Sequence, residues 1–171
     1  AHNTETEQAI VSNVYYDEIG RPVISDLPTP VDGEELRHYP KFNSPASDPG
    51  TWYMKDYFDD FDPNIECPYS NSAGFSDNSG AGNYYSSAHQ NPTGENVNIP
   101  DAEGFPFTRV TYLNDYTGRV SKIGAAGPDL KVGSGHETRY VYTATAQSDL
   151  NKLFGSEVGN YQHYQRVITV D

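Results

Sequence analysis

Apolar and polar residues alternate in short bursts along this chain, and glycine, proline and small polar residues separate the bursts. Thr138-Arg139-Tyr140-Val141-Tyr142-Thr143 alternates most cleanly, and Phe107-Thr108-Arg109-Val110-Thr111-Tyr112 is rich in β-branched and aromatic residues. Both segments predict half-buried antiparallel strands. Asn13-Val14-Tyr15-Tyr16 and Arg166-Val167-Ile168-Thr169-Val170 predict two more. Two turns share one pattern, Asp17-Glu18-Ile19-Gly20-Arg21 and Asp115-Tyr116-Thr117-Gly118-Arg119, each with a tyrosine-bearing strand ahead of it. Aspartate can hydrogen-bond its own backbone two residues on, and glycine accepts the positive φ that closes a bulged hairpin, so the pattern predicts two β-hairpins. The first runs from Val14 through Val23-Ile24. Its exit at Leu27-Pro28-Thr29-Pro30 lies on an edge or in an extended crossing, because proline cannot donate to a ladder.

The expected organisation has three parts: a first hairpin region over 1–30, a long acidic region rich in Pro, Gly, Ser and Asn over 31–104, and a second hairpin with further strands over 105–171. A structureless stretch as long as the middle part is unusual in a compact domain. It is expected to wrap over a neighbouring surface, anchored by Trp52-Tyr53, Tyr57-Phe58 and Tyr84-Tyr85. Ser148 to Gly155 predicts one helical turn with a serine cap and a glycine stop. The closing strand followed by Asp171 reads as the opening half of a third turn.

Composition sharpens this picture. Leu, Ile, Val and Phe together number 32 of 171 residues, and the formal charge is −13, which places the chain at the compositional edge of disorder. Fourteen tyrosines move it back toward order, since each buries a ring and keeps a polar tip. With 24 acidic against 11 basic residues and no basic cluster, binding to nucleic acid is not expected. No apolar run is long enough to span a bilayer, so direct membrane insertion is not expected either. The amino terminus has neither a charged nor an apolar leader region, and its start reads as internal or processed. The single Cys67 permits no internal disulfide.

One set of segments, taken in order, is more specific than any single turn. It comprises Tyr16-Asp17-Glu18-Ile19-Gly20-Arg21-Pro22-Val23 with Leu27-Pro28, then Tyr84-Tyr85-Ser86, Pro106-Phe107-Thr108 and Gly118-Arg119-Val120. Gly124-Ala125-Ala126-Gly127-Pro128 and Gly133-Ser134-Gly135-His136-Glu137-Thr138, leading into Tyr140-Val141-Tyr142, complete it. In this the chain resembles the RHS/YD-repeat proteins, in the region upstream of or within the shell repeats of the Bacteroidetes-type core. The resemblance spans roughly residues 14 to 171. It departs after Gly127, where Pro128-Asp129-Leu130 stands in place of a common tryptophan, and around Asn114-Asp115-Tyr116-Thr117. The resemblance implies an all-β fold of antiparallel hairpins in a spiral or shell that encloses a toxin or other cargo. It further implies a bacterial cell-surface or extracellular location, with the remaining repeats of the same parent protein, or adjoining shell chains, as partners. No self-cleaving aspartyl core or toxin domain is recognisable, so this piece would be wall.

The one candidate metal site is Asp60, Asp62, Asn64 and Glu66, whose oxygens at alternating positions resemble the first half of a calcium loop. Ile65 stands where such loops need glycine, and Asn71 stands at the usual acidic twelfth position, so a solvated acidic loop is the competing reading. No cofactor other than calcium is suggested. The five histidines are too far apart for a zinc spacing, and no Gly-x-Ser-x-Gly elbow is present. The glycine-rich stretches over 124–127 and 133–135 lack the following helix that phosphate binding needs and read as turns. The expectation is therefore a non-enzymatic wall segment that depends on its neighbours for order. The alternative is a calcium-organised adhesion module that recognises glycan or protein through its loop aromatics.

Overall fold

A computed structural model describes residues 2–3, 8–31, 38–39, 41–54, 73–89 and 94–171. The fold is mostly β, built from two antiparallel sheets. The smaller sheet has the order β1-β2-β5, with β1 His2–Asn3, β2 Gln8–Val11 and β5 Thr29–Val31. The larger has the order β3-β4-β6-β7-β8-β9. Its strands are β3 Val14–Tyr16, β4 Pro22–Asp26, β6 Phe107–Tyr112, β7 Val120–Gly124, β8 Thr138–Ala144 and β9 Gln165–Val170. β2 runs into β3 across Ser12-Asn13, and β4 runs into β5 across Leu27-Pro28, so the first hairpin is longer than its sequence pattern suggested. Pro30 pairs with Ile10 on the outer strand of the small sheet, where a missing N–H is tolerated.

The predicted strands over 107–112, 138–143 and 166–170 are present, and the two turns close the hairpins β3–β4 and β6–β7. Although eighty residues separate them in sequence, the hairpins are neighbours: Ile24 pairs with Arg109 and Asp26 with Phe107. The sheet is thus an antiparallel meander with the middle region inserted between its second and third strands. The helix α1 spans Gly80–Tyr84, and α2 spans Gln147–Phe154. Ser148 lies inside the first turn of α2 rather than capping it, while Gly155, at φ 82°, does stop it. Asp171 lies at the end of the sheet away from the two turns, its carboxylate accepting from the Thr138 hydroxyl at 2.9 Å.

The core sits where the inserted region folds back onto one face of β3, β4 and β6. Tyr53, Phe75 and Ala81 from the insertion are buried against Ile24 and Phe107 from the sheet. Ring centroids lie 4.6 Å apart for Tyr53–Phe75, nearly perpendicular, and 4.8 Å apart for Phe75–Phe107. Burial of such rings contributes roughly 1.5–3 kcal/mol each. The insertion therefore wraps, as expected, but over the chain's own sheet, with Tyr53 as a deep anchor. Tyr85 is a shallower one, its hydroxyl donating to Pro28 O at 2.6 Å. Trp52 is exposed, and Tyr57 and Phe58 lie outside the described residues.

A buried polar knot fixes the insertion in place. Asn43 donates to the Asp26 carboxylate at 2.6 Å and to the Tyr15 hydroxyl at 3.0 Å, while its own carbonyl accepts the Ala81 amide at 2.9 Å. One side chain thereby joins β3, β4 and α1. Gly80, at φ 51°, and Gly82 permit this approach, since a Cβ at either would overlap the backbone carbonyl of Phe42 or of Ser76. Burial raises the Tyr15 phenol to about 12, only partly offset by its bond to Asn43 and reinforced by the nearby Asp26 charge.

Candidate functional site

Three described features are organised beyond what packing alone demands: the two turns, the tyrosines beside them, and the open strands at the margins of the larger sheet. In the first turn the Asp17 carboxylate accepts the Ile19 amide at 3.1 Å, the Arg21 amide at 2.8 Å and the Arg21 Nε at 2.6 Å. Burial works the other way, yet these Arg21 and Ile19 contacts hold the Asp17 carboxyl below the ordinary carboxylate range. In the second turn the Asp115 carboxylate accepts the Thr117 hydroxyl at 2.6 Å and its amide at 3.0 Å. Arg119 then reaches Thr117 Oγ1 at 2.9 Å and Asp115 at 3.4 Å. Gly20 and Gly118 both take positive φ, 82° and 71°. The loops still differ in length. Asp17 N donates to Arg21 O in one, whereas Leu113 N donates to Arg119 O in the other, two residues further from its aspartate.

Each turn is latched to the next strand of the sheet by the same contacts. The Arg21 guanidinium stacks over the Tyr112 ring of β6 at 4.3 Å, and the Tyr112 hydroxyl donates to Pro22 O at 2.8 Å. The Arg119 guanidinium stacks over the Tyr142 ring of β8 at 5.1 Å, and the Tyr142 hydroxyl donates to Val120 O at 2.9 Å. In both cases aspartate holds the arginine, the arginine covers a tyrosine on the adjacent strand, and that tyrosine returns a hydrogen bond to the residue after the arginine. A cation over a ring contributes roughly 0.5–1 kcal/mol at an exposed site, and the hydrogen bond a similar amount. The sequence reading found the turns but missed the tyrosines' role. The signal was present as Tyr112 just before the second turn and Tyr142 in the second strand after it.

Beside the second latch a cleft of about 400 Å³ opens between the turn and the β8–β9 end, lined by Asp115, Arg119, Tyr142, Thr143, Tyr164 and Gln165. Its charged groups are already paired with one another. The connection from β7 to β8 carries the glycine stretches as turns, as expected, with Gly127 N donating to Phe105 O at 2.8 Å. There Glu137, its side chain 1% exposed, accepts the Gly135 amide at 2.8 Å and Arg139 Nε at 3.0 Å and lies 3.5 Å from Lys122 Nζ. Burial alone would push this carboxyl up, but its backbone hydrogen bonds and the two cations bring it down to about 2.

The predicted calcium ligands Asp60, Asp62, Asn64 and Glu66 lie outside the described residues, as does Cys67. Among the described residues no group of three or more His, Cys, Asp or Glu side chains is placed to hold a metal. His38, His136 and His163 are exposed, and His89 packs edge-on against Tyr84 with ring centroids 5.0 Å apart. No helix among the described residues is long and apolar enough to cross a membrane.

Comparison of the chain with protein-family models finds no matching family, and comparison with curated proteins finds no match.

Proposed function

We propose that this chain is a non-enzymatic wall segment of an RHS/YD-repeat protein of the bacterial surface or exterior, part of a β-shell that encloses a toxin or other cargo. The single observation that carries this reading is the recurrence of the Asp–Arg–Tyr latch, Arg21 on Tyr112 and Arg119 on Tyr142. A device that repeats from hairpin to hairpin fixes the lateral register of a sheet meant to continue. The strand margins agree with it. β9 is exposed along its whole length and lies at the edge of the sheet, a ready template for another strand. Its partners are then the remaining repeats of the parent protein or adjoining shell chains. Enclosure needs a surface, not a catalytic constellation, and no residue is assigned a catalytic role.

Thermal unfolding of the 171-residue chain by circular dichroism, with calcium and with chelator and over a range of protein concentration, tests this reading. A wall segment gives a β-type transition that ignores calcium and whose midpoint rises with concentration as open edges pair. A midpoint that ignores concentration and rises with calcium contradicts it. That result would support an adhesion module organised by Asp60, Asp62, Asn64 and Glu66.

A further inference from the structure

We infer that the outer edge of β3 is a docking edge for a second hairpin whose turn ends in Gly-Arg, and that Tyr16 is the vacant half of a latch for that arginine. The argument is one of position. Extending the observed β4–β6 register, in which Ile24 pairs with Arg109, sets Arg21 opposite Tyr112. Extending the β7–β8 register, in which Lys122 pairs with Arg139, sets Arg119 opposite Tyr142. Tyr16 is the equivalent of Tyr112 in its own hairpin. Tyr16 pairs with Pro22, and Tyr112 with Val120, each being the first residue after the turn arginine. In both hairpins the register shifts immediately before this tyrosine. The three rings also share a face of the sheet, because Val14, Ser25 and Thr108 form one cross-strand row, Val110, Ile123 and Thr138 form another, and Thr108 and Val110 lie two apart on β6. Tyr16, Tyr112 and Tyr142 follow Val14, Val110 and Thr138 of these rows at an even spacing.

What distinguishes Tyr16 is cover. Tyr112 and Tyr142 are half-buried under their arginines, whereas Tyr16 is 55% exposed on a strand whose outer side is unpaired among the described residues. β1 already occupies the corresponding outer side of β2, antiparallel to it. A strand along β3 would therefore continue β1's line as β4 continues into β5. Such a strand runs antiparallel to β3 and starts at the turn end of the sheet, where β4 and β7 both start behind an arginine. The occupant is accordingly a neighbouring repeat hairpin. That choice of source rests on the wall reading, but the chemistry of the edge does not.

The probe is a backbone-cyclised peptide of residues 12–27, which carries its own Arg21-Pro22 and presents the β4 edge that β6 meets in the intact chain. Binding of the labelled peptide to the full chain is measured by fluorescence anisotropy, and the contact is located by hydrogen exchange. The peptide is expected to bind and to slow exchange over residues 14–16. Arg21→Ala in the peptide, or Tyr16→Ala in the chain, each weakens binding about tenfold, and Tyr16→Phe about threefold. The Arg21→Ala and Tyr16→Ala losses are non-additive when combined, because they report one contact. Tyr116→Ala, at a turn tip that is 89% exposed, leaves binding unchanged. Absence of binding, indifference to both substitutions, or protection confined to residues 165–170 overturns the inference. The last of these leaves the wall reading standing, whereas a calcium-dependent, concentration-independent transition removes that reading whatever the peptide does.

Discussion

The two halves of the larger sheet are built from similar strands and live in different surroundings. β3, β4 and β6 carry the inserted region on one face: Ile24, Asp26 and Phe107 are buried against it, and Arg109 and Thr111 of β6 are buried as well. β8 and β9 have no such cover among the described residues: Val141, Val167, Ile168 and Val170 are exposed although their residue types match those buried elsewhere. Charge divides the same way. Residues 1–104 hold 18 of the 24 acidic residues and 4 of the 11 basic ones, so the chain's acidity belongs to the covering half. Among the described residues the aromatic core cluster thus lies where the insertion folds back on the sheet, while Val132 and Leu150, which follow β7 and β8 in the chain, are buried outside it. What stabilises the bare end is its ladder, its latch and the Glu137 cluster.

The largest expected effect is on the covered half. Phe75→Ala removes the ring that touches both Tyr53 and Phe107 and should cost about 3–5 kcal/mol, read as a shift in the urea midpoint at unchanged slope. A loss under about 1 kcal/mol would mean that the insertion does not supply the core.

Next comes the acid response of the bare half. Glu137 is held at about 2 in the folded chain, below its ordinary value of 4.5. Its stabilisation is therefore complete above the ordinary value and disappears as the pH falls through about 2. The shift corresponds to about 3 kcal/mol. Glu137→Gln should flatten the stability profile between pH 5 and pH 2 relative to the parent chain, and an unaltered profile would remove Glu137 as its cause.

Smaller again is the effect of the turns, which do not depend on cover. Gly20→Val and Gly118→Val each force a β-branched residue to a φ of 82° or 71° and should cost about 1–2 kcal/mol. Both have open space around them, so the penalty is conformational and should be similar in the two halves. Stability unchanged in both variants would contradict the turn assignment. The smallest effect belongs to the exposed strand: Val167→Thr, at a site 51% exposed and with side-chain shape conserved, should alter stability by less than about 0.5 kcal/mol. A larger loss in the isolated chain would show that β9 is covered after all.

These halves were not equally legible in the sequence. Strands over 107–112 and 138–144 are rich in β-branched and aromatic residues, the second alternating as well, and the turns carry residue types demanded by backbone geometry, so both could be read directly. The core could not. Tyr53, Phe75 and Ala81 are single apolar residues in a background of Ser, Gly, Asn and Pro, with no period to relate them, and their burial depends on contacts across tens of residues. The small sheet was missed for a related reason, since His2–Asn3 and Gln8–Val11 are too short to show alternation. The latch lay between these extremes. Its arginines and tyrosines were visible, but only the pairing of β4 with β6 and of β7 with β8 brings each arginine onto its tyrosine.

Native-state hydrogen exchange on the isolated chain tests the contrast most directly, because it reports local opening strand by strand. The account predicts the strongest protection over residues 107–112, weaker protection over 138–144 and the weakest over 165–170. Protection over 165–170 equal to that over 107–112 would contradict it, since β9 would then need neither cover nor a neighbouring strand to be stable.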